Sequence, residues 1–148
     1  MSNDDTFMRI ALAEARAASA QGNKPFGAVL VREGRLVGQG HNLVISDNDP
    51  TAHGEMVAIR ATCRALKTAS LEGATLYTTC EPCLMCTSAI AWALIDRVVI
   101  GAIWADVPDY FHPEKGSLLG LAQHVRYTFE YTSGVLRDEC VKLYAEGI

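Results

Sequence analysis

Two short stretches, "TAHGEMVAIR" (51–60) and "CEPCLMC" (80–86), hold the residue types of a small metal site. The first sets His53 and Glu55 two positions apart where a helix is expected to start. The second sets Cys80, Cys83 and Cys86 three apart at an expected strand-to-helix junction. Residues i and i+2 of a regular helix point to nearly opposite sides, so His53 and Glu55 share a site only if helical geometry begins after His53. Cys83 and Cys86 lie one turn apart on one helix face and can reach a common ion. A cysteine at a helix N-terminus also has its thiolate stabilised by free N–H groups and the helix dipole. One imidazole and two thiolates suit Zn²⁺ with a fourth position left to water. An ion held this way lowers the pKa of its water to about 7. Glu55, beside the ion without ligating it, would then carry protons. The reaction that needs this pair is hydrolytic loss of ammonia from an amidine-like ring carbon. The ring nitrogen must be protonated and the amine must leave as NH₃, and one carboxylate can serve each transfer.

The same residues admit two other readings. "CEPC" at a strand-to-helix junction has the form of a thiol–disulfide oxidoreductase, but that reading leaves His53 and Glu55 without a role. Alternatively, Cys80 as a fourth ligand would close a structural zinc site against water.

Several elements must position these side chains. The first helix is expected from about Thr6 to Ala20, with Asp4 and Asp5 suited to its dipole. "GNKPFG" breaks it, and "GAVLVREGRLVGQGHN" reads as a hairpin turning at Glu33-Gly34. After the loop "SDNDP", Met56, Ile59, Cys63 and Leu66 repeat at helical spacing over residues 54 to 67. The strand "TLYTTC" runs into the cysteine helix. "RVVIGAI" is a continuous apolar strand of the kind covered on both faces. Residues 104 to 124 read as a loop rich in aromatics and prolines, then a short helix; "VRYTFEY" alternates as a strand and "VLRDECVKLYAE" closes as a helix. A hairpin followed by alternating helices and strands predicts an α/β fold, a three-layer α/β/α sandwich around a five-stranded mixed sheet. Cys63, Cys80 and Cys140 read as core residues, Cys80 lying next to the site.

The chain of 148 residues has room for one domain over 1–148 and no clear second. It is 49% hydrophobic and 20% charged, a globular composition. No apolar run is long enough to span a membrane, and the acidic start "MSNDDTFMRI" has no apolar signal segment. The expectation is therefore a cytoplasmic protein whose five cysteines stay reduced. A net charge of −4 without a Lys/Arg cluster speaks against gripping polynucleotide phosphates. It points instead to a small uncharged substrate.

His53-Gly54-Glu55 and Pro82-Cys83-Leu84-Met85-Cys86 resemble the zinc-dependent cytidine-deaminase-like family, whose signature is H-x-E with P-C-x-x-C. The resemblance covers roughly residues 7 to 103. "PFGAVLV", "DPTAHGE" and "LYTTCEPCLMC" look most like bacterial guanine deaminases, with yeast-type cytosine deaminases and tRNA adenosine deaminases as relatives. It implies that His53, Cys83 and Cys86 hold Zn²⁺ and that Glu55 shuttles protons. It further implies that Asn42 hydrogen-bonds a polar edge of the base, that Phe26 and Trp92 wall the pocket, and that the chain forms a homodimer. Relatives of the guanine type read the base with an acidic residue from the C-terminal part; Glu114 is the candidate here, with Asp106 and Asp109 next. The implied reaction is deamination of a free nucleobase, guanine first. Cytosine or isocytosine, or a tRNA adenosine, are the alternatives.

Overall fold

Burial alternates along the central strand β1 (Gly27–Arg32). Val29 and Val31 pack into one apolar cluster, while Ala28 and Leu30 pack into another on the opposite face. That alternation fixes the layers, because a strand buried on both faces needs helices on both sides. The computed structural model describes residues 3–110 and 129–145. In order these are α1 (Asn3–Ala20), β1, β2 (Arg35–His41), α2 (Val44–Asp47), α3 (Gly54–Leu66), β3 (Ala74–Cys80), α4 (Leu84–Trp92), β4 (Arg97–Ala102), a 3₁₀ turn (Trp104–Asp106), β5 (Glu130–Thr132) and α5 (Arg137–Ala145). α1 and α5 cover one face through Met8, Leu12, Leu143 and Tyr144; α3 and α4 cover the other through Ala58, Ile59 and Ile90. The result is the expected α/β/α sandwich on a five-stranded mixed sheet.

The sheet order is β2-β1-β3-β4-β5. β1 is antiparallel to both β2 and β3, whereas β3–β4 and β4–β5 are parallel. β2, β3, β4 and β5 therefore all run one way, and β1 alone runs back. The chain leaves β2, β3 and β4 at one edge of the sandwich and enters β1 at that same edge. Ligand sites of open α/β sheets lie at such carboxyl ends.

Two helices press their backbones onto the sheet at glycines. A Cβ at Gly27 would lie 2.6 Å from the Ala15 nitrogen of α1, and one at Gly40 would lie 2.7 Å from the Ala58 nitrogen of α3. α1 starts three residues before the expected Thr6. Its first turn is anchored to the sheet: Asp4 accepts the Tyr77 hydroxyl at 2.8 Å and the Arg97 guanidinium at 2.8 and 3.0 Å. A helical turn, α2, precedes the expected loop 46–50 and takes in its first two residues, because the buried Asn23 side chain accepts N–H groups of Ile45 (3.1 Å) and Ser46 (3.0 Å) from another part of the chain. Of the expected strand 125–131, residues 125–128 lie outside the described residues, as does the short helix before it. No helix among the described residues is long and apolar enough to cross a membrane.

Candidate active site

Two helix N-termini meet at the carboxyl edge of the sheet. His53 is the residue preceding α3 and has extended backbone angles, φ −67° and ψ 155°; Cys83 stands in the same relation to α4, with φ −72° and ψ 176°. Helical geometry thus begins after His53, which is the condition under which its side chain and that of Glu55 can converge. Both line one pocket.

His53, Cys83 and Cys86 each bring one donor atom within 4.8 Å of the others. His53 Nδ1 is 3.5 Å from Cys83 Sγ and 3.6 Å from Cys86 Sγ. Around a tetrahedral zinc with ordinary bonds of about 2.3 Å to sulfur and 2.0–2.1 Å to nitrogen, each N···S edge should measure about 3.6 Å. The side chains stand at that spacing, so the donor set fits zinc in both chemistry and geometry. The Cys83 thiolate accepts a hydrogen bond from the Cys86 thiol and interacts with the His53 ring, which brings its pKa down to about 4. The same contact with Cys83 raises Cys86. His53 is raised by its hydrogen bond with Cys83. A nearby dication reverses this proton sharing, because coordinated thiols are deprotonated.

Cys80 ends β3, buried, and is not among the clustered donors. Burial pushes its pKa well up, which suits an inert core thiol. Cys80 therefore does not supply the fourth ligand of a closed zinc site. Of the two thiols that could serve the redox reading, Cys80 or Cys83, burial removes Cys80, and the lowered Cys83 stands in the donor cluster with His53 and Cys86. Cys140 is also buried, and Cys63 is half-buried against the α3–α4 cluster.

Glu55 sits in the first turn of α3, only 4% exposed. Burial raises its pKa, while hydrogen bonds from Cys86 and Thr78 oppose the rise. The Thr78 hydroxyl donates to Glu55 Oε1 at 2.7 Å and holds the carboxyl in place. A carboxyl tuned upward and fixed in a cleft has the properties of a proton carrier.

The pocket has a volume of about 400 Å³, within the range of small-molecule sites. Asn42 and Phe26 line it. The Val44 N–H donates to Asn42 Oδ1 at 3.1 Å, so Asn42 is left to offer the pocket its amide N–H groups. Trp92 does not line it. It is 86% exposed on the outer side of α4, because the sheet selects the face carrying Cys86 and Ile90. Asp106 is turned away as well: its carboxylate pairs with Arg137 of α5 at 2.7 Å and accepts the Ile103 N–H at 3.0 Å. Asp109 is exposed and is not part of the lining. Glu114 lies outside the described residues.

The sequence reading missed Trp104, Tyr110, Glu81 and Lys24, all of which line the pocket. The Trp104 indole N–H donates to the Glu81 carbonyl and its backbone N–H to the Glu81 carboxylate, each at 3.0 Å. Tyr110 packs on Phe26 and on Tyr144 of α5, with ring centroids 6.2 and 5.2 Å away. The C-terminal helix thus backs the pocket of its own chain. The signal for these aromatics was their place after an apolar strand, where α/β sites form.

Residues 1–102 match the family described as the cytidine and deoxycytidylate deaminase zinc-binding region. A tRNA-specific adenosine deaminase of Bacillus subtilis is 41% identical over 95% of this chain and 85% of its own length. A structure from studies of A-to-I editing by tRNA:A34 deaminases at the wobble position of transfer RNA is 36% identical, covers 93% of this chain and 98% of that one, and superposes with a TM-score of 0.81. A guanine deaminase of Nitrosomonas europaea is 27% identical over 96% of this chain and 82% of that one, with a TM-score of 0.86.

Proposed function

The chain belongs to the cytidine and deoxycytidylate deaminase zinc-binding family and is a zinc-dependent deaminase; from that premise we propose that its substrate is an adenosine of transfer RNA, converted to inosine. The observation that carries this choice is identity at matched coverage. Over more than nine-tenths of the chain it is 41% and 36% with these tRNA relatives and 27% with the guanine deaminase of Nitrosomonas europaea, while a guanine deaminase of Bacillus subtilis reaches 42% over 72% of the chain. The expected free guanine thus yields to its alternative. The charge argument against nucleic acid weakens too, because net charge says nothing about where charges sit. Asp4, Glu14, Asp106 and Glu139 are paired with Arg97, His41, Arg137 and Arg9, away from the pocket lining.

In this reading His53, Cys83 and Cys86 hold the zinc. When bound there, zinc supplies the Lewis acidity that makes water a nucleophile near neutral pH. Glu55 takes the first proton of the attacking water and gives it to the ring nitrogen, then takes the second from the hydroxyl left on the carbon and gives it to the amine, so that ammonia departs and a carbonyl remains. Asn42 donates to a ring acceptor of the purine. Phe26, Trp104 and Tyr110 enclose the base, and the reducing cytoplasm keeps the thiols free for the metal.

Ammonia release measured in parallel from an anticodon stem-loop, free guanine and free adenosine tests the reading. Turnover of the stem-loop at least about 100-fold above that of guanine is expected, since flanking nucleotides contribute to selecting such substrates. Guanine turnover without stem-loop turnover would replace this reading with the second one, guanine deamination, which the closer backbone superposition favours.

We also propose a homodimer through the outer face of α4. Leu84, Trp92 and Leu94 are 40%, 86% and 52% exposed, and a helix apolar on both sides needs a second cover. Sedimentation of native protein should give a dimer and of Trp92→Glu a monomer. A native monomer at micromolar concentration would rule out this interface.

A further inference from the structure

Building on the RNA reading above, we propose that Lys24 and Ile45 form a rim subsite that grips the phosphodiester backbone next to the target nucleotide, Lys24 by its charge and Ile45 by apolar contact with the sugar or neighbouring base. Both residues line the pocket, Lys24 is exposed, and Ile45 is 59% exposed. The reacting end of a bound base must lie against His53, Cys83 and Glu55. Whatever the base is attached to must then leave through the exposed rim. A bare base would leave Lys24 without a partner there, whereas a nucleotide carries its phosphates past it.

The rim is built rather than incidental. Asn23, only 1% exposed, ties the turn before β1 to α2: Oδ1 accepts the Ile45 and Ser46 N–H groups, and Nδ2 donates to Ser46 Oγ at 3.1 Å. Lys24 follows Asn23 directly in the chain, and Ile45 is itself held by this staple through its N–H. Pro25 restricts the Lys24 backbone, and the Lys24 carbonyl accepts the Phe26 N–H at 2.9 Å. Lys24 has no ion pair among the described residues. An ammonium group on a flexible stem suits a phosphate that presents itself from varying directions.

Binding of a labelled anticodon stem-loop to the zinc-loaded protein, followed by fluorescence anisotropy across a salt series, tests the subsite. Lys24→Ala is expected to raise Kd about 5- to 10-fold and to reduce the slope of log K against log salt by about 0.7 to 1, with Lys24→Arg restoring both. Neutral methylphosphonates flanking the target nucleotide should weaken the native protein and cost Lys24→Ala nothing more. An unchanged salt slope, or losses from the two changes that simply add, would overturn the subsite even if the stem-loop is deaminated. If guanine reacts and the stem-loop does not, the RNA reading fails separately. Lys24 is then judged by inhibition with GMP against guanosine: a native preference for GMP that Lys24→Ala erases upholds the phosphate contact, and equal inhibition by the two overturns it.

Discussion

Replacing Glu55 with glutamine is expected to lower kcat about 10³- to 10⁴-fold while zinc content stays near that of the native protein. The side chain is nearly out of solvent, and Thr78 fixes one oxygen at 2.7 Å. Glutamine has the same shape and keeps an oxygen for Thr78, so the fold and the metal donors have no reason to move. What it cannot do is take a proton and return it, and this reaction asks for that several times: from water, to the ring, and to the leaving amine. No other described residue offers a substitute. Glu81 also lines the pocket, but its carboxylate accepts the Trp104 N–H and anchors the wall. Ammonia release beside metal analysis separates the outcomes. Turnover within about tenfold of native, with zinc retained, would remove Glu55 from the mechanism.

Replacing Cys83 with serine is expected to take zinc occupancy from about one per chain to below about a tenth and to abolish turnover. Among the described residues three donors converge here, at edges of 3.5 and 3.6 Å. With one thiolate gone, an imidazole and a single thiolate cannot compete with water and buffer for the ion. Thermal stability should fall as well, since an ion bound by the folded chain alone stabilises it by mass action. Cys80→Ser is the control: its sulfur lies outside the cluster, so zinc content should hold. X-ray absorption on the native protein should find two sulfurs with lighter atoms around zinc. Three sulfurs, or full occupancy in Cys83→Ser, would mean that the ligand set is wrong.

The folded chain explains where reading the sequence succeeded and where it failed. His53, Glu55, Cys83 and Cys86 were legible because their relations are local, a helix start and a single turn. Trp92 was misplaced because Leu84, Met85, Ile90 and Trp92 are apolar on every side of α4, so no polar stripe shows which way the helix is rotated against the sheet. Trp104 and Tyr110 were missed because the segment after β4 has no period to read. α2 was missed because its cap, Asn23, lies about twenty residues earlier in the chain.

By itself, then, the sequence determined the donor atoms, their spacing along each helix and the alternation of strands and helices, since these depend on near neighbours. Only the tertiary structure decided that the two helix starts face one another. β1 runs against β2, β3 and β4, so the chain segments following β2 and β3 emerge at one edge, carrying His53 to within 3.6 Å of both thiols. Strand direction is set by pairing across the sheet, and no local stretch of residues encodes it.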